Sequence, residues 1–239
     1  MPYADVNGLH LYYEEHGEGR PLVLLHGGLM TIELNFGIAL PALAEHHRVI
    51  AVERQGHGRT SDIDRPPTVA DFAADVVALL DHLGIERADV VGFSVGGLTG
   101  YELAISYPDR VRRAVLASAD HRNHRAGEAD PARLPTPDDF QAMRDAYAAI
   151  APDPHAFDAV AEKTSGMVQS FTGWTDDQLR NVHLPVLILI GDTDFILVEN
   201  AAESMRLLPE GQLAVLPDTT HMDVTRSTLL APVIKAFLA

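Results

Sequence analysis

Ser94, an aspartate at the close of a late apolar run, and His221 have the types and the order needed to turn a hydroxyl into a carbonyl-attacking nucleophile. A serine hydroxyl is inert at neutral pH until a base within hydrogen-bond reach takes its proton, and that base needs an acid to fix its tautomer. Ser94 sits in Gly92-Phe93-Ser94-Val95-Gly96, directly after the apolar, β-branched run Val90-Val91. Downstream, Leu184 to Gly191 reads as a buried strand and ends in Asp192-Thr193-Asp194, two candidates for the acid. Gln212 to Leu216, another strand-like run, leads to Pro217-Asp218-Thr219-Thr220-His221, and no other histidine follows a late strand. The order Ser94, Asp194, His221 has gaps of 100 and 27 residues, the wide one leaving room for an inserted segment. Near the start, Pro21 to Leu25 is a further strand ending in His26-Gly27-Gly28, a loop able to aim a backbone N–H at a developing oxyanion.

Each of these groups needs an element to hold it. A Gly-x-Ser-x-Gly turn between a strand and a helix forces its central residue into an unfavourable backbone conformation and projects the side chain from the sheet edge. Leu98 to Tyr107 supplies the helix. Leu9 to Glu15 alternates like a half-buried strand, Ile38 to Glu45 reads as a short helix and Arg48 to Val52 as a strand. Thr68 with Asp71 makes a capping start for a helix whose apolar positions, Val69, Phe72, Val76, Leu79, Leu80 and Leu83, keep helical spacing up to Gly84. Arg113 to Ala117 is the next strand, and Val198 to Leu208 and Val224 to Leu238 are the closing helices. Alternating strands and helices predict a doubly wound, mostly parallel α/β sheet, with sites at the carboxyl ends of its strands.

On these motifs the chain resembles the α/β-hydrolase family over nearly its whole length. Glu53-Arg54-Gln55-Gly56-His57-Gly58-Arg59-Thr60 looks like the family's Asp-x-Arg-Gly-x-Gly-x-Ser loop, with Glu53 for Asp, Gln55 for Arg and Thr60 for Ser. That loop is mainly structural in the family, so the departures leave the chemistry intact. The resemblance implies Ser94 as nucleophile, His221 as base and Asp194, favoured over Asp192 by the family's spacing, as acid. It also implies an oxyanion hole from the N–H groups of Gly28 and Val95. By the same resemblance the segment where the alternation stops, residues 120–184, is a helical cap over the nucleophile, and residues 1–119 with 185–239 form the core domain. Within the cap, Asp120 to Asp139 reads as loop, and Phe140 to Ile150, Phe157 to Ser170 and Asp176 to Val182 read as helices. Its apolar members divide between packing and pocket: Phe140, Met143, Tyr147, Met167, Phe171 and Trp174 are the candidate substrate contacts, with Leu29, Ile196 and Met222 from the core domain.

Composition bounds the rest. The 239 residues can bury one sizeable core, and 46% hydrophobic with 22% charged residues is soluble globular composition. A net charge of −16 disfavours nucleic acid and anionic membrane as partners and suits an uncharged substrate. The absence of cysteine removes disulfides, thiolate metal sites and cysteine nucleophiles. The pairs Asp120-His121 with His124 and His46-His47 lack an evident third ligand, so neither metal nor cofactor is expected. His26 reads as a prop for the oxyanion loop, His57 as a loop residue, and Glu33, Asn35 and Arg54 as solvated loop positions. The cap's cations, Arg122, Arg125, Arg133, Arg144, Lys163 and Arg180, are scattered among acids. The expectation is a cytoplasmic serine hydrolase, monomeric or homodimeric, cleaving a small to medium uncharged ester or lactone. The rivals are a cofactor-free haloperoxidase or perhydrolase, a C–C bond hydrolase, and a non-catalytic small-molecule-binding protein of the same fold.

Overall fold

The computed structural model describes residues 3–122 and 130–239; His124 and Arg125 lie outside them. Eight strands form one sheet: β1 (Tyr3–Val6), β2 (Leu9–His16), β3 (Arg20–Leu25), β4 (His47–Val52), β5 (Ala88–Phe93), β6 (Val111–Ala117), β7 (Val186–Gly191) and β8 (Gly211–Leu216). They lie in the order β1-β2-β4-β3-β5-β6-β7-β8. β1 and β2 pair antiparallel, as do β2 and β4; every later pairing is parallel. The sheet reverses its winding at β3, next to β5, which places the ends of these two strands side by side beneath the site.

Alternation along the buried strands divides the core into two layers. On one face Val23, Leu25, Val90, Leu116 and Ile188 pack with Phe72 and Leu79 of α3 (Val69–His82) and Tyr101 of α4 (Val95–Ser106). On the other, Leu22, Leu24, Val91, Val115 and Leu187 meet Phe36 of α1 (Ile32–Phe36), Leu43 of α2 (Leu40–Ala44) and Ile234 of the C-terminal helix. All six residues of β5 are buried, as a central strand covered on both faces requires.

Between β6 and β7 the chain inserts α5 (Pro137–Ile150), α6 (Phe157–Ser170) and α7 (Asp176–Arg180). The loop expected up to Asp139 ends earlier, because Thr136 and Asp139 form a reciprocal capping box that starts α5 at Pro137. A 3-10 turn spans Pro131–Arg133.

Three further local expectations are corrected. The four-residue strand β1 was not anticipated. The helix expected from Ile38 begins at Leu40, where Pro41 fits the first turn, and is preceded by the short α1 capped by the Thr31 hydroxyl. The helix expected from Val224 to Leu238 is two helices, α9 (Asp223–Arg226) and α10 (Leu230–Leu238) after α8 (Val198–Leu207). Pro232 has no N–H to continue a helix through Thr228, and the Ser227 hydroxyl accepts from the Leu229 N–H instead. Among the described residues no helix is long and apolar enough to cross a membrane.

Candidate active site

Ser94 occupies the tight turn from β5 into α4 with φ 53° and ψ −119°, a conformation that L-residues adopt only under constraint. The constraint is the close approach of β3, β5 and α4. A Cβ on Gly92 would lie 2.1 Å from the Gly96 carbonyl oxygen, and one on Gly96 would lie 2.0 Å from that of Leu25. Only glycine fits at these two positions. The turn is tied to the sheet by the Ser94 N–H, which donates to the Ala117 carbonyl at 2.8 Å.

Two later strand ends complete a hydrogen-bonded chain. Ser94 Oγ lies 3.1 Å from His221 Nε2, and His221 Nδ1 lies 2.9 Å from Asp194 Oδ1. A carboxylate can only accept, so Nδ1 carries the proton and Nε2 is left to accept from the Ser94 hydroxyl. The imidazole is packed between Phe93 and Phe195, with ring centroids 4.9 and 4.2 Å away. Asp194 is fully buried and also accepts the Ile196 N–H at 3.0 Å. Burial pushes its carboxyl up, but the His221 charge and hydrogen bond, the Ser118 hydroxyl and the Ile196 N–H outweigh it and hold the group below the usual aspartate value. Asp192, the alternative acid, is exposed and accepts the Thr219 N–H at 3.1 Å; it stiffens the β7 loop and makes no bond to His221.

Ser118 was absent from the sequence reading. It follows β6 at the same sheet edge, is buried at φ 51°, and sets its hydroxyl beside Asp194. Its signal was positional: a small polar residue directly after the apolar run Val115 to Ala117, next to the strand that carries the acid.

The loop after β3 is held from behind. The Gly27 N–H donates to Asn35 Oδ1 at 2.8 Å, and the Gly27 carbonyl accepts from Arg54 Nη2 and from His26 Nδ1. Asn35 and Arg54, expected in solvent, are therefore buried supports; only Glu33 of that trio is exposed. Burial lowers the Arg54 guanidinium to about 9 and His57 to about 3, and drives His26 well down, so both imidazoles are neutral and one buried cation serves the loop. With its back fixed, Gly28 stands against Val95: a Cβ there would lie 3.3 Å from Val95 Cγ2. Val95 opens α4, so its N–H has no helical acceptor and can serve a ligand.

Glu53, at the end of β4, is completely buried, and Arg59 bonds its carboxyl through both backbone and side chain. Burial dominates over Arg59 and raises the carboxyl from 4.5 to about 7. The folded protein thus holds a proton that the unfolded chain releases between these values. This stabilisation is complete below pH 4.5 and lost as pH rises through about 7. Measured against Glu53→Gln, wild type should gain up to about 3 kcal/mol as pH falls across that window. Urea unfolding of both proteins at the two ends of the window reads the difference; a constant difference would remove Glu53 as the titrating group.

Above Ser94 lies a cavity of about 680 Å³, lined by both the sheet edge and the inserted helices α5 and α6. Of the candidate substrate contacts, Leu29, Phe140, Met143, Ile196 and Met222 line it, together with Leu134, Thr164 and Val168. Tyr147, Met167, Phe171 and Trp174 do not. Tyr147 packs edge-on against Phe157, with centroids 5.7 Å apart. Trp174 packs on Tyr101 and Phe171 and donates Nε1–H to Glu102 at 2.8 Å, while Met167 joins the same core. The reason lies in the rotation of α6, which turns Ala161, Thr164, Ser165 and Val168 to the cavity and Met167 away. Among the described residues no cluster of three His, Cys, Asp or Glu side chains could hold a metal. His121 hydrogen-bonds Ser204 through Nδ1 at 2.9 Å.

A strained serine turn after β5, an aspartate after β7 and a histidine after β8, joined by hydrogen bonds on such a sheet, define a class. The chain belongs to the alpha/beta hydrolase fold family, whose profile matches residues 20–164, more than half of its length. Over most of its length it is similar to a non-heme haloperoxidase of Rhodococcus erythropolis, 29% identical with 92% of this chain and 93% of that one aligned. It is also similar to the provisionally named carbamate hydrolase RutD of Azorhizobium caulinodans, 37% identical over 118 residues. That match spans 49% of this chain and only 44% of the relative. The fold is shared with the enol-lactonase of Burkholderia xenovorans LB400, with a TM-score of 0.83, 24% identity and 99% of each chain covered.

Proposed function

We propose that the protein is a serine hydrolase that cleaves small to medium uncharged carboxylic esters or lactones through an acyl-enzyme, with α5 and α6 as a cap over the nucleophile. The observation that carries this reading is the unbroken chain Ser94–His221–Asp194 at the floor of a mostly apolar cavity. His221 Nε2 takes the Ser94 proton as Oγ adds to the carbonyl carbon, and the tetrahedral oxyanion is held by the N–H groups of Gly28 and Val95. Collapse breaks the bond to the leaving oxygen, which receives the proton from His221. Water, deprotonated by the same imidazole, then attacks the acyl carbon and releases the acid and the free serine.

The apolar wall of Leu134, Phe140 and Met143 favours an acyl chain. Each methylene that still fits contributes up to about 0.8 kcal/mol, so kcat/KM should climb with chain length and fall once the cavity is full. A panel of p-nitrophenyl esters of graded acyl length, with lactones, a β-diketone and an emulsified triglyceride, tests this. A peak at short to medium acyl chains is expected. A preference for the triglyceride would contradict the enclosed-pocket reading, and tight binding of a panel member without any turnover would favour the non-catalytic alternative.

The whole-length likeness to a haloperoxidase supports a second reading, in which hydrogen peroxide replaces water in the attack on the acyl-enzyme and yields a peracid. Adding peroxide to the same ester assay and measuring peracid distinguishes the two.

A further inference from the structure

Thr164 is a buried residue of α6 whose Cγ2 lies 3.5 Å from where a Cβ on Gly28 would stand, so it overhangs the loop assigned to the oxyanion. Among the described residues its hydroxyl makes no hydrogen bond, Oγ1 is not among the side-chain oxygens sealed from solvent without a partner, and the residue lines the cavity. Thr99 in α4 behaves differently, donating to the Val95 carbonyl one turn back at 3.0 Å. Helical threonines ordinarily satisfy themselves in that way, and a buried hydroxyl that does not is available to a ligand. Its neighbour Ser165 is already engaged, accepting from Gln169 Nε2 at 3.0 Å. The cavity therefore has an apolar wall on α5 and, on a threonine of α6 that overhangs the Gly28 loop, one uncommitted hydroxyl.

Where that hydroxyl can reach on a substrate follows from the chemistry at Ser94. Once Oγ has added, the reacting carbon carries the oxyanion, the leaving oxygen and the acyl α-carbon. The oxyanion faces Gly28 and Val95, and the leaving oxygen must face His221 to take its proton. The position left for a group standing over the oxyanion loop is a substituent on the α-carbon. We infer that Thr164 is a specificity residue for acyl groups bearing an oxygen next to the scissile carbonyl, that is, 2-hydroxy or 2-oxo esters and lactones. The inference rests on the hydrolase reading and narrows its substrate class.

The test compares ethyl lactate, as each enantiomer, with ethyl propionate. Each kcat/KM is divided by the rate of hydroxide-catalysed hydrolysis of the same ester, which removes the intrinsic effect of the 2-hydroxyl. Wild type should prefer the better lactate enantiomer by about three- to tenfold, the range that one neutral hydrogen bond provides. Thr164→Val, which keeps the shape and loses the hydroxyl, should bring the ratio close to one, and Thr164→Ser should retain it. Because both substrates meet the same preparation, a misfolded fraction cancels from the ratio. Turnover of both esters without a preference, or with a preference that survives in Thr164→Val, overturns this inference alone. Turnover of neither ester by wild type overturns the hydrolase reading and the inference with it.

Discussion

Ser94→Ala is expected to lower kcat on the best ester by on the order of 10⁴- to 10⁶-fold while leaving the protein folded. The substitution removes only Oγ. Alanine keeps the Cβ that the turn already accommodates at φ 53°, and the N–H bond to Ala117 and the close packing of Gly92 and Gly96 are untouched. The lost contact to His221 is a single neutral hydrogen bond, so the cost in stability should stay near 1 kcal/mol, a few degrees in Tm for a chain of this size. What remains is catalysis by the oxyanion loop and binding alone, which accounts for a residual rate above that in water. Steady-state kinetics and a thermal melt on the same sample check the claim; retention of even a tenth of wild-type kcat would mean that another group attacks the carbonyl.

The second large effect separates the two aspartates that the sequence offered. Asp194→Asn should reduce kcat by on the order of 10⁴-fold, because an amide can donate to Nδ1 and so stabilises the wrong tautomer, and it supplies no charge to the imidazolium that forms in the transition state. The group being lost is a buried carboxylate held below its usual value by the His221 contact. Asp192→Asn should cost less than tenfold, since that side chain faces solvent and its Oδ1 serves the Thr219 N–H. Kinetics on the two variants side by side read the ranking, and the reverse ranking would transfer the acid to Asp192.

Sequence alone made the sheet and the placement of Ser94, Asp194 and His221 at its edge legible where the physics is local or periodic. Buried strands are apolar runs, their carboxyl ends are where a parallel sheet places polar groups, and a Gly-x-Ser-x-Gly turn between strand and helix tolerates little else. It was less informative wherever the answer depends on docking. Met167 and Thr164 are three residues apart on α6, and only the rotation of that helix against the body decides that Thr164 faces the cavity and Met167 the core. Arg54 and Asn35 look like loop residues, yet they are buried because the loop carrying Gly27 needs donors and acceptors behind it. Ser118 belongs to no motif, and its place beside Asp194 is set by the neighbouring strands β6 and β7. The break ahead of Pro232 is legible in the sequence, because the missing N–H of Pro232 interrupts the apolar periodicity of residues 224–238.

The central claim is that Ser94 is the nucleophile and becomes covalently acylated. Intact-protein mass spectrometry after treatment with a fluorophosphonate, followed by peptide mapping, tests it most directly. One adduct per chain is predicted, on the peptide carrying Ser94, absent from Ser94→Ala and slowed in Asp194→Asn. No adduct on well-folded protein, or an adduct on another residue that persists in Ser94→Ala, would contradict it.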